Sequence, residues 1–169
     1  MINFSDLQSK KEKVCVLGLG YVGLPLAVLL SKHFSAIGFD IDARKIDELN
    51  NGIENMREVE PSELKSGDIV YTSDPSSLAT AKFIIIAVPT PVDEHNTPDL
   101  TIIRKASEMV GKYITAGTIL SFESTVYPGV TEDICGPIIE KVSGLKCGQD
   151  FFLAYSPERV NPGDKQHTI

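Results

Sequence analysis

Three glycines near the amino terminus have the spacing of a loop that binds phosphate groups through its backbone. The segment Gly18-Leu19-Gly20-Tyr21-Val22-Gly23 follows a short apolar run, residues 14–17, and opens a helical pattern. In such a loop the first glycine allows a tight turn, the second lets a pyrophosphate approach the backbone, and the third lets helix and strand pack closely. The helix N-terminus adds free amides and partial positive charge. A turn that serves only helix packing is the structural alternative.

An acidic residue stands where a second predicted strand ends. Asp40 lies 17 residues after Gly23, where a carboxylate can hold both hydroxyls of an adenosine ribose. The same carboxylate would repel a 2′-phosphate, which favours NAD over NADP. Arg44 and Lys45 weaken that preference, because cations bind phosphate. The alternative role for Asp40 is a helix cap, although Asp42 is better placed for capping.

Three later loops carry polar groups directly after predicted strands. They are Pro89-Thr90-Pro91, Glu123-Ser124-Thr125, and Ser156-Pro157-Glu158-Arg159-Val160-Asn161. Taken singly, each is explained as well by a proline turn, a capped turn or a buried ion pair. Their shared position favours a binding site, because ligands of parallel sheets bind at the carboxyl ends of the strands.

The elements that must position these loops alternate between strand and helix. Apolar runs predict strands at 14–17, 36–39, 69–71, 82–88, 118–122 and 151–155. Helical patterns predict helices at 21–33, 43–51, from 74, at 100–113 and at about 130–142. This order predicts an α/β fold, a Rossmann-type doubly wound parallel sheet with helices on both faces.

Composition restricts the classes of partner. The chain has 169 residues with 23 acidic and 16 basic side chains, a net charge of −7, so we expect no nucleic-acid partner. The amino-terminal segment has no signal-peptide pattern and no apolar stretch is long enough to span a bilayer, so we expect no membrane insertion. The three cysteines, Cys15, Cys135 and Cys147, and the three histidines have no metal-ligand spacing. We therefore expect no metal, reduced thiols and a cytoplasmic protein.

From residue 13 onward the sequence resembles the UDP-glucose/GDP-mannose dehydrogenase family. The resemblance rests on GLGYVGLPLA, FDIDARKIDELNNG, VPTPVDEHNTPDLT, ESTVYPGVTE and SPERVNPGDKQHT, in family order and spacing. The last motif is most similar to that of the UDP-N-acetylgalactosamine and UDP-N-acetylglucosamine 6-dehydrogenases of Vi-type capsule and O-antigen synthesis. The first twelve residues are polar and charged and are expected to form an arm or a short lead-in helix, and the resemblance implies an NAD-binding Rossmann domain at 13–169. It further implies a central helix and a C-terminal UDP-binding domain beyond the chain.

The resemblance also implies a chemistry, the four-electron oxidation of a sugar C6 alcohol to a carboxylate with two NAD. In the family a cysteine traps the aldehyde, and water then hydrolyses the thioester. Glu158 would be the general base for that water and Thr125 would hold it. Glu158, Arg159 and Asn161 would lie beside the sugar. The implied cofactor contacts are Gly18, Gly20, Tyr21, Val22, Gly23, Asp40, Lys45, Thr90 and Thr125.

The family's nucleophilic cysteine lies beyond residue 169, and none of the three cysteines present matches it. We therefore expect this chain to bind NAD and to be inactive alone, with a UDP-sugar as the substrate of the full-length enzyme. That enzyme would be a homodimer or higher oligomer. The alternatives are a UDP-glucose or UDP-N-acetylmannosamine 6-dehydrogenase, a hydroxyacid-type dehydrogenase with a similar first domain, and a non-catalytic dinucleotide sensor.

Overall fold

Six parallel strands form one sheet at the centre of the molecule. The computed structural model describes residues 2–92 and 97–157. The strands are β1 (Lys13–Leu17), β2 (Ser35–Phe39), β3 (Ile69–Thr72), β4 (Ala81–Ile86), β5 (Ile119–Phe122) and β6 (Phe152–Tyr155). Their order is β3-β2-β1-β4-β5-β6, with every neighbouring pair parallel. This is the Rossmann strand order, with its crevice between β1 and β4, and the predicted fold class is confirmed.

Helices connect the strands within the described ranges. The α-helices are α1 (Phe4–Gln8), α2 (Gly23–Ser31), α3 (Ala43–Asn50), α4 (Thr101–Tyr113) and α5 (Gly136–Ser143), with a 3-10 helix at Pro75–Thr80 and a π-helical segment at Val130–Cys135. Aspartates cap two of the helices. The Asp42 carboxylate accepts hydrogen bonds from the Arg44 and Lys45 amides at 3.0 and 3.4 Å, and Asp74 accepts one from the Ser76 amide at 2.9 Å.

Both faces of the central strands are buried, as their near-continuous apolar sequences require. Successive residues of β1 face opposite sides. Cys15 and Leu17 pack in a core with residues of α4 and α5, whereas Val16 packs in a second core with residues of α2 and α3. The strand is therefore held rigidly from both sides, and the loop that follows it starts from a fixed point.

Strand β4 ends two residues earlier than the predicted range of 82–88. The Ala87 amide still donates to the Leu17 carbonyl at 2.8 Å. The Val88 carbonyl, however, accepts from the Ser124 hydroxyl at 2.6 Å instead of from a strand backbone. The chain leaves the sheet at this point, and Pro89, which has no amide proton, cannot donate to a further ladder bond.

The segment predicted as one helix at about 130–142 consists of two parts. A π-helical turn, Val130–Cys135, follows Gly129, whose φ is 93°, and α5 begins at Gly136. Pro137 has no amide proton for the Asp133 carbonyl, so α-helical hydrogen bonding cannot run continuously through this segment. The predicted helix at 21–33 is also shorter, because Tyr21 and Val22 lie in the turn before α2.

Candidate functional site

The glycine loop lies at the carboxyl end of β1, and its first and last glycines, Gly18 and Gly23, pack directly against each other. Gly18 has a φ of 96°, in the left-handed region that favours glycine, and its amide donates to the Phe39 carbonyl at 2.8 Å. A Cβ on Gly23 would collide with the Gly18 carbonyl, whereas a Cβ on Gly20 would meet nothing within 4 Å. Gly23 therefore closes the loop against the helix, and Gly20 leaves open space above the backbone.

The Asp40 carboxylate is the centre of a hydrogen-bond network that joins the loop to the end of β2. One oxygen, Oδ2, accepts from the Leu19 amide at 3.0 Å and from Lys45 Nζ at 2.7 Å. The other, Oδ1, accepts from the Asp42 amide at 3.0 Å. The side chain of Asp40 is only 10% exposed. The carboxylate thus fixes the glycine loop relative to α3.

The same network sets the protonation state of Asp40. Burial acts to raise the pKa of the Asp40 carboxyl, but the hydrogen bonds from Lys45, Asp42 and Leu19 outweigh burial, so the pKa lies below its ordinary value. The carboxylate is charged at neutral pH. The helix-cap alternative is wrong for Asp40, since the Asp42 side chain caps α3.

A second polar group of contacts lies at the carboxyl ends of β4 and β5. The Thr90 hydroxyl donates to the Thr125 carbonyl at 2.8 Å, and the buried Ser124 hydroxyl donates to the Val88 carbonyl. The two loops that the sequence marked separately are therefore hydrogen-bonded to each other. Glu123 adds a carboxylate beside them, and its Oε1 accepts from the Ser121 hydroxyl at 3.1 Å.

One cleft of about 800 Å³ joins these two groups of contacts. Of the nine residues that the resemblance assigns to the cofactor, the cleft wall contains eight, namely Gly18, Gly20, Tyr21, Val22, Asp40, Lys45, Thr90 and Thr125. Gly23 lies behind the wall, buried against Gly18. The remaining predicted residues, Glu158, Arg159 and Asn161, lie outside the described residues.

Several residues of the cleft carried no signal in the sequence analysis. Met56 comes from the irregular segment between α3 and β3, and Ile102, Lys105 and Met109 come from α4. No motif contains them.

The cleft fits a dinucleotide. Gly20 leaves room for a phosphate above the loop backbone, α2 begins directly after the loop, so the positive end of its dipole lies there, and Asp40 supplies a carboxylate at the neighbouring strand end. The sheet order puts the cleft at the topological switch point, where dinucleotides bind. The cofactor would span from Asp40 at one end to Thr90 and Thr125 at the other.

The cysteines lie apart from the cleft wall. Burial raises the pKa of the Cys15 thiol to about 12, and burial also raises the pKa of Cys135. Cys147 is exposed in the loop before β6, and partial burial followed by the Glu140 charge raises its pKa. Among the described residues no cluster of histidine, cysteine and carboxylate groups could hold a metal, and no helix there is long and apolar enough to span a bilayer.

Comparison with known sequences decides the family. Residues 12–169 match the sequence model described as UDP-glucose/GDP-mannose dehydrogenase family, NAD binding domain. The chain belongs to this family. The part that matches is the family's NAD-binding domain, and NAD is its cofactor, as the glycine loop and Asp40 predicted.

Individual relatives agree with that assignment. Protein CapL of Staphylococcus aureus is 57% identical over 158 residues, which cover 94% of this chain and 37% of the relative. The UDP-N-acetyl-D-glucosamine 6-dehydrogenase of Pseudomonas aeruginosa is 51% identical over 161 residues, which cover 95% of this chain and 38% of the relative. This chain therefore spans less than two-fifths of the length of either relative.

A solved structure shares the fold. The NDP-N-acetyl-D-galactosaminuronic acid dehydrogenase of Methanosarcina mazei superposes with a TM-score of 0.82 at 34% sequence identity. The match covers 96% of this chain and 38% of that one. The similarity thus extends over nearly the whole chain at the level of the backbone as well as the sequence.

Proposed function

We propose that this chain is the NAD-binding domain of a longer nucleotide-sugar 6-dehydrogenase. The enzyme would oxidise the C6 alcohol of a UDP-N-acetylhexosamine to the uronic acid with two NAD, in surface-polysaccharide synthesis. The observation that carries the proposal is the 51% identity, over 95% of this chain, with a UDP-N-acetyl-D-glucosamine 6-dehydrogenase. The likeness to a protein named CapL supports a role in capsule synthesis.

Different residues of the cleft would bind different parts of the cofactor. The glycine loop and the N-terminus of α2 would hold the cofactor's pyrophosphate, and Asp40 would orient its adenosine ribose. NAD, when bound, supplies the hydride acceptor. The chain's own task is to bind and orient the cofactor so that one end of it faces Thr90 and Thr125.

Two residues would act on the water of the hydrolytic step. Thr125 would hold the water through its hydroxyl, and Glu158 would remove a proton from it as the general base. Arg159 and Asn161 would contact the sugar. These assignments rest on the matching motifs, with Thr125 lining the described cleft.

The lengths of the relatives support further segments in the full-length enzyme. We propose that the arm at 1–12 and the cofactor domain from residue 13 are followed by the segments that the relatives have beyond their own NAD-binding domains. The nucleophilic cysteine would belong there, so this chain alone would bind NAD without turnover. We also propose an oligomeric full-length enzyme in the cytoplasm, where the three unpaired cysteines would stay reduced.

The deciding experiment measures NADH formation by the full-length protein with four substrates in parallel. These are UDP-glucose, UDP-N-acetylglucosamine, UDP-N-acetylgalactosamine and UDP-N-acetylmannosamine. We expect about two NADH for each N-acetylglucosamine or N-acetylgalactosamine nucleotide consumed, as a four-electron oxidation requires. Activity with UDP-glucose alone or with UDP-N-acetylmannosamine alone would contradict the proposed substrate and would keep the enzyme in the same family. No NADH from any sugar, with NAD still bound, would favour the sensor.

The role of Glu158 has a separate test in the same protein. Glu158→Gln removes the base, so we expect a covalent thioester to accumulate and net turnover to fall by about two to four orders of magnitude, with NAD affinity nearly unchanged. Glu60→Gln, on an exposed residue, is the matched control. Unchanged turnover in Glu158→Gln would make Glu158 a structural residue.

A further inference from the structure

The loop after β5 is held by a tyrosine from the neighbouring strand. Tyr155 is the last residue of β6 and lies opposite Phe122, the last residue of β5. Its hydroxyl donates to the Val126 carbonyl at 3.0 Å and accepts from the Val126 amide at 3.5 Å. One phenol therefore binds both backbone groups of a residue four positions beyond the end of the strand pairing.

Three successive residues of this loop are fixed in this way. The Ser124 hydroxyl donates to the Val88 carbonyl at 2.6 Å, and the Thr125 carbonyl accepts from the Thr90 hydroxyl at 2.8 Å. Val126 is bonded to Tyr155 of β6, whereas Ser124 and Thr125 are bonded to the loop after β4. Residues 124–126 lie outside any helix or strand, so these side chains replace the ladder bonds that would otherwise order the backbone.

The Thr125 side chain is used differently from its backbone. Within residues 2–92 and 97–157, its hydroxyl makes no hydrogen bond, while its carbonyl is bonded to Thr90. Thr125 lines the cleft and is exposed. Its backbone is thus fixed on both sides, and its hydroxyl is left for a bound molecule.

We propose that Tyr155 is a positioning residue that acts through Val126 to keep the Thr125 hydroxyl facing the cleft. The proposal rests on the proposed function, because the work of Thr125 is the reaction assigned there. A phenylalanine at position 155 would keep the ring and lose both hydrogen bonds. Since Tyr155 is 41% exposed, the change removes the two bonds with little effect on the apolar core.

The test compares Tyr155→Phe with wild type in the full-length protein. We expect kcat to fall roughly threefold to tenfold, the range of one ordinary hydrogen bond, because the second bond is 3.5 Å long and therefore weak. The Kd of NAD should stay within about twofold. Amide hydrogen exchange over residues 123–127 should become several-fold faster. Tyr127→Phe, on a neighbouring tyrosine that is 48% exposed, should change none of these three quantities.

A second pair of variants separates positioning from a general structural role. In a Thr125→Ala background, adding Tyr155→Phe should lower kcat no further, because the residue through which Tyr155 acts is already gone. A loss that multiplies in the double variant would overturn the inference. Unchanged exchange at 123–127 in Tyr155→Phe would overturn it as well.

The same experiment distinguishes failure of the inference from failure of the proposed function. Absence of NADH from the wild-type protein with all four sugars would contradict the proposed function. The exchange measurement does not depend on turnover, so it decides in that case whether Tyr155 positions the loop.

Discussion

The two ends of the cleft are built on different principles. The end at β1 and β2 is charged and largely buried, with Asp40 bonded to Lys45 and to the Leu19 amide. The end at β4 and β5 is held by hydroxyl groups on backbone carbonyls, such as Thr90 on Thr125. A charge-assisted hydrogen bond is roughly twice as strong as a neutral one, so the first end is the more rigid.

The two ends also differ in how far apart their partners lie in the chain. Asp40 and Leu19 belong to one strand-helix-strand unit and are 21 residues apart. Ser124 and Val88 are 36 residues apart and meet only because β4 and β5 are neighbours in the sheet. The first end is thus a local unit, whereas the second depends on the assembled sheet. This difference yields four predictions.

The largest effect is expected at Gly23, which closes the first end. Gly23→Ala places a methyl group against the Gly18 carbonyl, so the loop must move. We expect a loss of about 3 kcal/mol or more in the free energy of unfolding and loss of measurable NAD binding. Urea unfolding and calorimetric titration with NAD measure the two quantities.

Gly20→Ala is the matched control for that experiment, because a Cβ at Gly20 meets nothing within 4 Å. Its stability should change by less than about 1 kcal/mol, whereas NAD binding should weaken at least tenfold by loss of the space for the pyrophosphate. Equal stability losses in both variants would contradict the assignment of separate roles to the two glycines.

The next largest effect is expected at Asp40. Asp40→Ala removes the carboxylate that bonds to Leu19, Asp42 and Lys45 and would orient the ribose. We expect NAD affinity to fall by about tenfold to a hundredfold, as for the loss of one hydrogen bond to a charged group. UDP-sugar affinity in the full-length protein should change much less. Asp42→Ala, which removes the α3 cap at a cost of about 1 kcal/mol, should leave NAD affinity within twofold.

Low pH should remove the stability that the charged Asp40 side chain gives to the first end of the cleft. The folded-state pKa of Asp40 is depressed, so its charged form stabilises the protein above its unfolded pKa, about 3.9. This stabilisation is lost as the pH falls through the folded pKa. In urea unfolding from pH 7 to pH 2.5, the stability gap between wild type and Asp40→Asn should therefore narrow below about pH 4. A gap that stays constant would show that the charge of Asp40 does not contribute.

The smallest effect is expected at the second end, in Ser124→Ala. The variant leaves the Val88 carbonyl without its hydroxyl donor and should cost about 1 kcal/mol, with NAD affinity falling only a few-fold. Ser143→Ala is the control, because its hydroxyl donates to the Ile139 carbonyl and accepts from the Leu145 amide, and neither residue lines the cleft. A larger loss of NAD affinity in Ser124→Ala than in Asp40→Ala would reverse the comparison between the two ends.

The sequence was most informative where the structure is local. The glycine loop, the position of Asp40 and the capping role of Asp42 follow from short spacings along one strand-helix-strand unit. The bond between Lys45 Nζ and Asp40 Oδ2 was not predicted, because Lys45 was expected to contact the cofactor. A spacing of five residues in the sequence does not by itself show which acceptor a lysine side chain donates to.

The motifs predicted which residues form the second end of the cleft, but not the contacts between them. Thr90 and Thr125 were identified in two separate loops. The hydrogen bond between them depends on the neighbouring positions of β4 and β5 in the sheet. Met56 and Lys105 were missed entirely, since they enter the cleft from segments without a motif. Tertiary packing brings such residues together, and residue type alone does not predict it.

The placement of the three cysteines has a practical consequence. Cys15 and Cys135 are buried, whereas Cys147 is exposed in the loop before β6, at the amino end of the strands. The cleft opens at the opposite, carboxyl end. A maleimide dye or a surface linker would therefore attach to this chain at a single point on the far side from the cofactor. The molecule can be tethered or labelled there with its cleft left accessible to solution.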